Sequence, residues 1–155
     1  MTTRRRAVSI IAVIAAVGAL SLRPAVADVP ALNFTDFSVV QNGNFVVGWE
    51  FDVLSPVTVT GLGMFKYDEL SGQGHSVGIF DPNMVLIATT DVGPSDPLSG
   101  FFRFRALTTP VTLTPGNGYR IAGVALDKYF AYSFSEPPPG WTVDPRIRYA
   151  DDRYL

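Results

Sequence analysis

Apolar and polar side chains alternate with a period of two residues in several short stretches of this chain. In the clearest stretch the apolar residues are Phe45, Val47, Trp49, Phe51 and Val53, with small or charged residues between the last four. This period places the two sets on opposite faces of a half-buried strand. The 14 Gly and 12 Pro among 155 residues interrupt the chain too often for long helices. The sequence therefore predicts an all-β fold.

Turn signals separate further short strands along the chain. Strands are predicted over residues 57–66, 75–80, 84–92, 101–106, 111–113, 119–126 and 128–134. Residues 75–92 should form one hairpin around Asp81, Pro82 and Asn83. The turn residues 114–118 should join 111–113 to 119–126 in a second hairpin. Seven or eight such strands predict a single antiparallel β-sandwich, jelly-roll-like or immunoglobulin-like.

The first 27 residues have the three parts of a secretory signal peptide. Three arginines at positions 4–6 precede an apolar run over residues 7–22, and Ala25 and Ala27 supply small residues at a cleavage site. The run is shorter than the roughly 18 to 20 residues of a membrane span. We expect a helical signal peptide over 1–27, a domain over 28–155 that is secreted or at the cell surface, and no stable membrane span after cleavage. The arginines at positions 4–6 fit export either by the general secretory pathway or by the twin-arginine pathway, so both routes stay open.

The charge balance excludes several classes of partner. Removing residues 1–27 leaves 8 basic residues against 14 acidic ones, a net charge near −6. Nucleic-acid binding needs a basic patch, so DNA and RNA are not expected as partners. The chain has no Cys and one His, which removes most transition-metal sites and any disulfide framework. About 128 residues can still bury a core large enough to fold without such cross-links.

Several strand and turn segments resemble a family of uncharacterised exported bacterial domains, often found ahead of a PEP-CTERM sorting signal. The segments are VGWEF at 47–51, SPVTVTGLG at 55–63, HSVGIFD at 75–81, FFRF at 101–104 and LTPG at 113–116. The resemblance implies export and a β-sandwich, and the family has no defined catalytic residues. Family members usually continue through a further strand after the segment that resembles 144–149. We therefore expect this domain to lack a final strand and to self-associate through the edge strand left unpaired.

Candidate catalytic groups are few. Asp68, Glu69 and His75 lie close together in the sequence, as an acid–base group of a carbohydrate-active hydrolase would. The simpler interpretation is that His75 shares the inward parity of Val77 and Ile79, at a sandwich edge with one ring nitrogen hydrogen-bonded. No serine-hydrolase elbow, P-loop or H-E-x-x-H motif occurs. No catalytic residue is assigned.

Candidate ligand-binding residues are aromatic or acidic. Calcium takes oxygen ligands, and the candidate donors are Asp91, Asp96, Asp127, Asp151 and Asp152, although no calcium-loop spacing is present. No metal or other cofactor is assigned, and solvated turn aspartates are the simpler interpretation. Tyr129 and Trp141 flank a polyproline stretch and are candidates to stack on a sugar ring. Trp49 should be a core residue and Trp141 a surface one.

These observations favour an exported, non-catalytic β-sandwich module of the cell surface or extracellular matrix. Its expected partner is an extracellular glycan or a matrix component. The alternatives left open are a carbohydrate-active hydrolase and a glycan-binding module.

Overall fold

The structure is a computed structural model that describes residues 29–36, 39–65, 74–125, 128–132 and 140–154, with side chains for all of these except 39–43, 128–132 and 154. The predicted signal peptide lies outside the described residues. The strands of the described part are β1 (Leu32–Asn33), β2 (Val39–Gly43), β3 (Val46–Val53), β4 (Val57–Phe65), β5 (His75–Phe80), β6 (Leu86–Val92), β7 (Leu98–Ser99), β8 (Phe102–Leu113), β9 (Gly116–Val124), β10 (Lys128–Tyr132), β11 (Thr142–Val143) and β12 (Ile147–Tyr154).

Two antiparallel sheets form the body of the domain. The larger has the order β12-β3-β9-β5-β6 and the smaller the order β4-β8-β7. Strand β4 packs against β5 and β6, and β8 packs against β6. Two short ladders, β1 with β11 and β2 with β10, complete the described strands. The all-β prediction is confirmed, and the packed sheets form a β-sandwich.

The buried core lies between the two sheets. Its members are Phe51, Val53, Val57, Leu62, Met64, Val77, Ile79, Val92, Leu107, Leu113, Tyr119, Ala125 and Ile147. Gly123 of β9 and Met64 of β4 show how closely the layers approach, because a Cβ on Gly123 would lie 2.8 Å from the Met64 sulfur. Only glycine fits at this position without a shift of the facing side chain.

The inward face of β3 is buried at one end and more open at the other. Val53 and Phe51 are buried, Trp49 and Val47 are half-buried, and Phe45 precedes the strand with 38% of its surface exposed. The ladder of β3 with β9 continues into that of β2 with β10, and the Ala125 N–H donates to the Phe45 carbonyl at 2.8 Å between them. The prediction of one apolar face is right for the strand, but Phe45 lies at the irregular junction and is not part of the core.

The first predicted hairpin is confirmed. Strands β5 and β6 pair antiparallel, with His75 opposite Val92. One carboxylate oxygen of Asp81 accepts hydrogen bonds from the N–H groups of Asn83 and Val85, both at 2.8 Å. Such Asp-centred turns are the reason for the strong turn signal. The turn is longer than predicted, because β6 begins at Leu86 and not at Met84.

The second predicted hairpin is wrong. Strand β8 pairs with β4 and β7, whereas β9 pairs with β3 and β5. The turn after Leu113 therefore carries the chain from the smaller sheet to the larger one. Turn residues specify a chain reversal, but they do not specify which strand supplies the hydrogen bonds.

Strand β8 is longer and less regular than predicted. Ala106 pairs with Gly61 and Val111 with Val59, so residues 107–110 lie opposite Thr60 alone. This bulge includes Pro110, which has no N–H for a regular ladder. In a regular strand Leu107 would lie on the same face as the exposed Arg105, two residues earlier. The bulge turns Leu107 into the core instead.

The last described strand, β12, lies at the edge of the larger sheet. Its register on β3 shifts between Tyr149 and Asp151, which leaves Ala150 as an extra residue. Arg148, Asp151 and Arg153 add charge along this edge. Bulges and charges both protect edge strands from pairing with other chains. The sequence predicts that the domain lacks a final strand and self-associates through the edge strand left unpaired. Both statements stay predictions.

Candidate functional site

Trp141 is held where two segments distant in sequence meet. The preceding Gly140 has a φ of +67°, and a Cβ there would lie 2.0 Å from the Thr35 hydroxyl oxygen. The following residue, Thr142, pairs with Asn33 in the short ladder of β11 with β1. Glycine is required at 140 both for the left-handed backbone and for the approach of Thr35. The backbone on both sides of Trp141 is therefore fixed.

The indole of Trp141 contacts Tyr149 of β12 edge-on. The two ring centroids are 5.0 Å apart and the planes meet at 88°. The Tyr149 ring also lies against Trp49, with centroids 6.2 Å apart at 28°. Its hydroxyl donates a hydrogen bond of 2.6 Å to Asp152. We call Trp141, Tyr149 and Trp49 the aromatic row.

The structure contradicts the predicted difference in exposure between the two tryptophans, but not the predicted difference in their contact with the core. Trp49 is half-buried, because the inward face of β3 opens toward its N-terminal end. Trp141 is half-buried as well, because Tyr149 covers part of it. Trp49 nevertheless packs against the buried core, whereas Trp141 lies outside it.

Tyr129 is the other residue predicted to stack on a sugar ring. It belongs to β10, where its backbone is opposite Asn42 of β2. The described contacts do not bring Tyr129 to Trp141, and its side chain lies outside the described part of the chain.

His75 is a structural residue of the larger sheet. It is 4% exposed, and its Nδ1 lies 2.8 Å from the Val124 carbonyl oxygen, so this nitrogen carries the proton and donates. The prediction of an inward-facing histidine with one hydrogen-bonded nitrogen is confirmed. Its placement at an edge is wrong, since β5 lies between β9 and β6. Asp68 and Glu69 lie outside the described residues.

The outer face of the larger sheet carries two carboxylates bound by arginines. Glu50 of β3 accepts hydrogen bonds from Arg120 of β9 at 2.8 Å and from Arg153 of β12 at 3.0 Å. The hydrogen bond from Arg120 is the largest influence on the pKa of Glu50, and with Arg153 it lowers that pKa against the effect of burial. Three strands are therefore joined through one carboxylate.

Asp52, two residues further along β3, connects neighbouring strands in the same way. It is 7% exposed; one oxygen accepts from Arg148 at 2.6 and 3.1 Å, and the other accepts from the Gly118 N–H at 3.0 Å. The Arg148 hydrogen bond is the main reason that the pKa of Asp52 lies below its usual value, and it outweighs burial. Asp52 thus links β3 to both neighbouring strands.

The described calcium candidates have protein partners. Asp91 accepts from the Ser76 hydroxyl, Asp96 from Gly93 and Arg105, Asp151 from Arg153, and Asp152 from Tyr149. Burial raises the pKa of Asp96, but hydrogen bonds from Arg105 and Gly93 outweigh it and the pKa is lowered. Asp127 lies outside the described residues, and within the described ones no three acidic or histidine side chains come together in a metal-binding group.

Tyr149 is the site residue that sequence reasoning did not find, and Asp152 was expected only as a calcium donor and not as its hydrogen-bond partner. Tyr149 has the same parity as the buried Ile147, which could have indicated an inward ring. The bulge at Ala150 then breaks the alternation, so Asp152 lies opposite Trp49.

No family model, curated protein or solved structure matches the chain. The described part of the chain contains no helix of the length and apolarity needed to span a membrane.

Proposed function

We propose that the chain is an exported, non-catalytic β-sandwich module that acts by binding at the cell surface or in the extracellular matrix. The signal-peptide pattern of residues 1–27 supports export. The sandwich supplies a rigid scaffold, and scaffolds of this kind carry functions that depend on their surface residues. The resemblance to exported bacterial domains points the same way.

The use of four described carboxylates supports the non-catalytic part of the proposal. A glycosidase needs a carboxylic acid whose pKa is raised toward neutrality, beside a second carboxylate. Glu50, Asp52, Asp96 and Asp144 instead have lowered pKa values, each with an arginine partner. These four groups are ionised at neutral pH and connect strands and turns, which is a structural role.

The test is expression of the full chain in a bacterial host, with the secreted fraction purified. N-terminal sequencing should give Asp28 as the first residue. The purified protein should release no reducing sugar from a panel of plant, fungal and bacterial polysaccharides. Retention of residues 4–22 in the mature protein would contradict export by cleavage. Hydrolysis that is lost in Asp68→Asn or Glu69→Gln would establish the hydrolase alternative.

A further inference from the structure

We propose that Met84 is a site of reversible oxidation, at which a hydroperoxide such as hydrogen peroxide converts the thioether to a sulfoxide that Arg120 then holds. Met84 lies on the turn between β5 and β6, and 52% of its surface is exposed. This modification is independent of the proposed function, because it requires neither export nor a bound partner.

Exposure distinguishes Met84 from the other methionine of the predicted mature domain. Met64 of β4 belongs to the buried core and is 5% exposed. Residues 28–155 contain these two methionines and no cysteine. Oxidation of sulfur by a dissolved oxidant depends on access to the sulfur atom. A peroxide should therefore react with Met84 in the folded protein and spare Met64.

The backbone of Met84 is fixed in a conformation that favours glycine. Its φ is +64°, and its N–H donates to the Asp81 carbonyl at 3.0 Å. The Asp81 carboxylate binds the N–H groups of the two neighbours, Asn83 and Val85. Glycine would adopt this left-handed backbone without steric cost, whereas methionine does not. An outlier of this kind points to a role for the side chain.

The Met84 sulfur contacts a cation whose orientation is set from the other side. The Arg120 Nη1 group of β9 donates to this sulfur. The Nε group of the same guanidinium donates to Glu50 of β3 at 2.8 Å, and the Arg120 side chain is 29% exposed. Glu50 therefore fixes the guanidinium while another of its nitrogens faces Met84. A thioether is a weak acceptor, so this charged donor has a poor partner in the reduced protein.

Oxidation supplies a better acceptor at the same place. A lone pair of the sulfur attacks one oxygen of the peroxide, the S–O bond forms, and the O–O bond breaks. The proton on the attacked oxygen moves to the leaving oxygen, which departs as water or an alcohol. The sulfur loses two electrons and the peroxide gains them. The sulfoxide oxygen carries partial negative charge and can accept a charge-assisted hydrogen bond from Arg120 Nη1, while Nε stays on Glu50. Methionine sulfoxide reductases return the sulfoxide to the thioether.

The first test measures where the oxygen is added. The full chain is expressed and purified, treated with limiting hydrogen peroxide, and digested with trypsin before mass spectrometry. Cleavage after Lys66 and Arg103 places Met64 and Met84 in different peptides. In the folded protein the Met84 peptide should gain one oxygen about tenfold faster or more than the Met64 peptide. In concentrated urea the two rates should become similar, because both sulfurs are then exposed.

The second test measures what Arg120 does for the product. Arg120→Lys keeps a positive charge for Glu50 but has one nitrogen in place of three. Oxidation should raise the melting temperature of the parent protein by about 2 to 4 °C, should not raise it in Arg120→Lys, and should be reversed by the reductase. Met84→Leu should not respond to peroxide. Met64→Leu is the matched control and should respond like the parent protein.

Two results would overturn the proposal. Equal oxidation rates of Met64 and Met84 in the folded protein, or an inert Met84, would refute the site. A change in melting temperature on oxidation that is the same in the parent protein and in Arg120→Lys would refute the part assigned to Arg120. Neither result bears on export or on the non-catalytic function, since both tests follow a reaction of the folded domain with peroxide.

Discussion

Removing the carboxylate of Asp52 is expected to weaken the attachment of β12 to the larger sheet. Asp52 bonds Arg148 of β12 on one side and the Gly118 N–H of β9 on the other. Asp52→Ala removes all of these bonds, whereas Asp52→Asn keeps an oxygen acceptor for Gly118. The two substitutions therefore separate the ion pair from the backbone bond.

The expected loss follows from the exposure of each partner. The Arg148 side chain is 65% exposed, so water screens the ion pair and its contribution is about 1 kcal/mol. The Gly118 bond should contribute about 1 to 1.5 kcal/mol, because its N–H is partly buried and loses its acceptor. Asp52→Ala should then lower the free energy of unfolding by about 2 to 2.5 kcal/mol, and Asp52→Asn by about 1 kcal/mol.

The ion pair also predicts a pH dependence with a definite sign. The pKa of Asp52 is lower in the folded protein than its ordinary value of 3.8. A carboxyl group with a lowered folded pKa stabilises the fold fully above its unfolded pKa and loses that stabilisation as pH falls through the folded pKa. The stability difference between the parent protein and Asp52→Asn should therefore be complete at neutral pH and shrink as the pH falls below 3.8 and through the lowered pKa of Asp52.

Urea unfolding of the mature chain measures these differences, provided that the transition is two-state with an unchanged slope. Arg148→Ala and the double variant complete a cycle, in which the double loss should be about 1 kcal/mol smaller than the sum of the single losses. Asp91→Asn, an exposed acidic position on β6, is the control and should change little. A cost below about 0.5 kcal/mol for Asp52→Ala, or a stability difference that grows on acidification, would refute the role assigned to Asp52.

Three further predictions follow from the packing and charge of the described residues. Trp49→Ala should cost about 3 kcal/mol and Trp141→Ala about 1 kcal/mol in urea unfolding, because Trp49 packs against the core and Trp141 lies outside it, in contact with Tyr149; equal losses would contradict this order. Gly123→Ala should cost about 1 to 3 kcal/mol in the parent protein and less in a Met64→Ala background, because the clashing sulfur is absent there. Glu50→Gln should lower stability at neutral pH but not at strongly acidic pH, since the pKa of Glu50 is also lowered; a loss of equal size at both pH values would exclude an ionic role.

Local patterns in the sequence predict the existence of most long strands. Alternation identifies β3 and β5, and turn residues identify the β5–β6 hairpin, because these signals depend on neighbours within a few positions. The same patterns do not show that β8 and β9 belong to different sheets. Partner choice depends on the burial of faces by strands far away in the chain. The bulge opposite Thr60 is also invisible, since Pro110 indicates only a local irregularity.

The candidate site is only partly accessible to sequence reasoning. Trp141 stands out as an aromatic residue after a polyproline stretch, but its contact with Tyr149 depends on the placement of β12 beside β3. Asp52 is assigned correctly to the polar face of β3. Its burial could not be foreseen, because the arginine that neutralises it follows 96 residues later.

The position of β3 between β9 and β12 has a consequence for the order of events during synthesis. Its residue Glu50 bonds partners 70 and 103 positions further along the chain. While these segments are still being made, β3 has neither neighbour, and its apolar side chains and backbone groups remain open to solvent. Long-range pairing of this kind slows folding. We expect the larger sheet to be completed only after β12 has been synthesised, so the apolar face of β3 has to wait for the end of the described chain before it is covered.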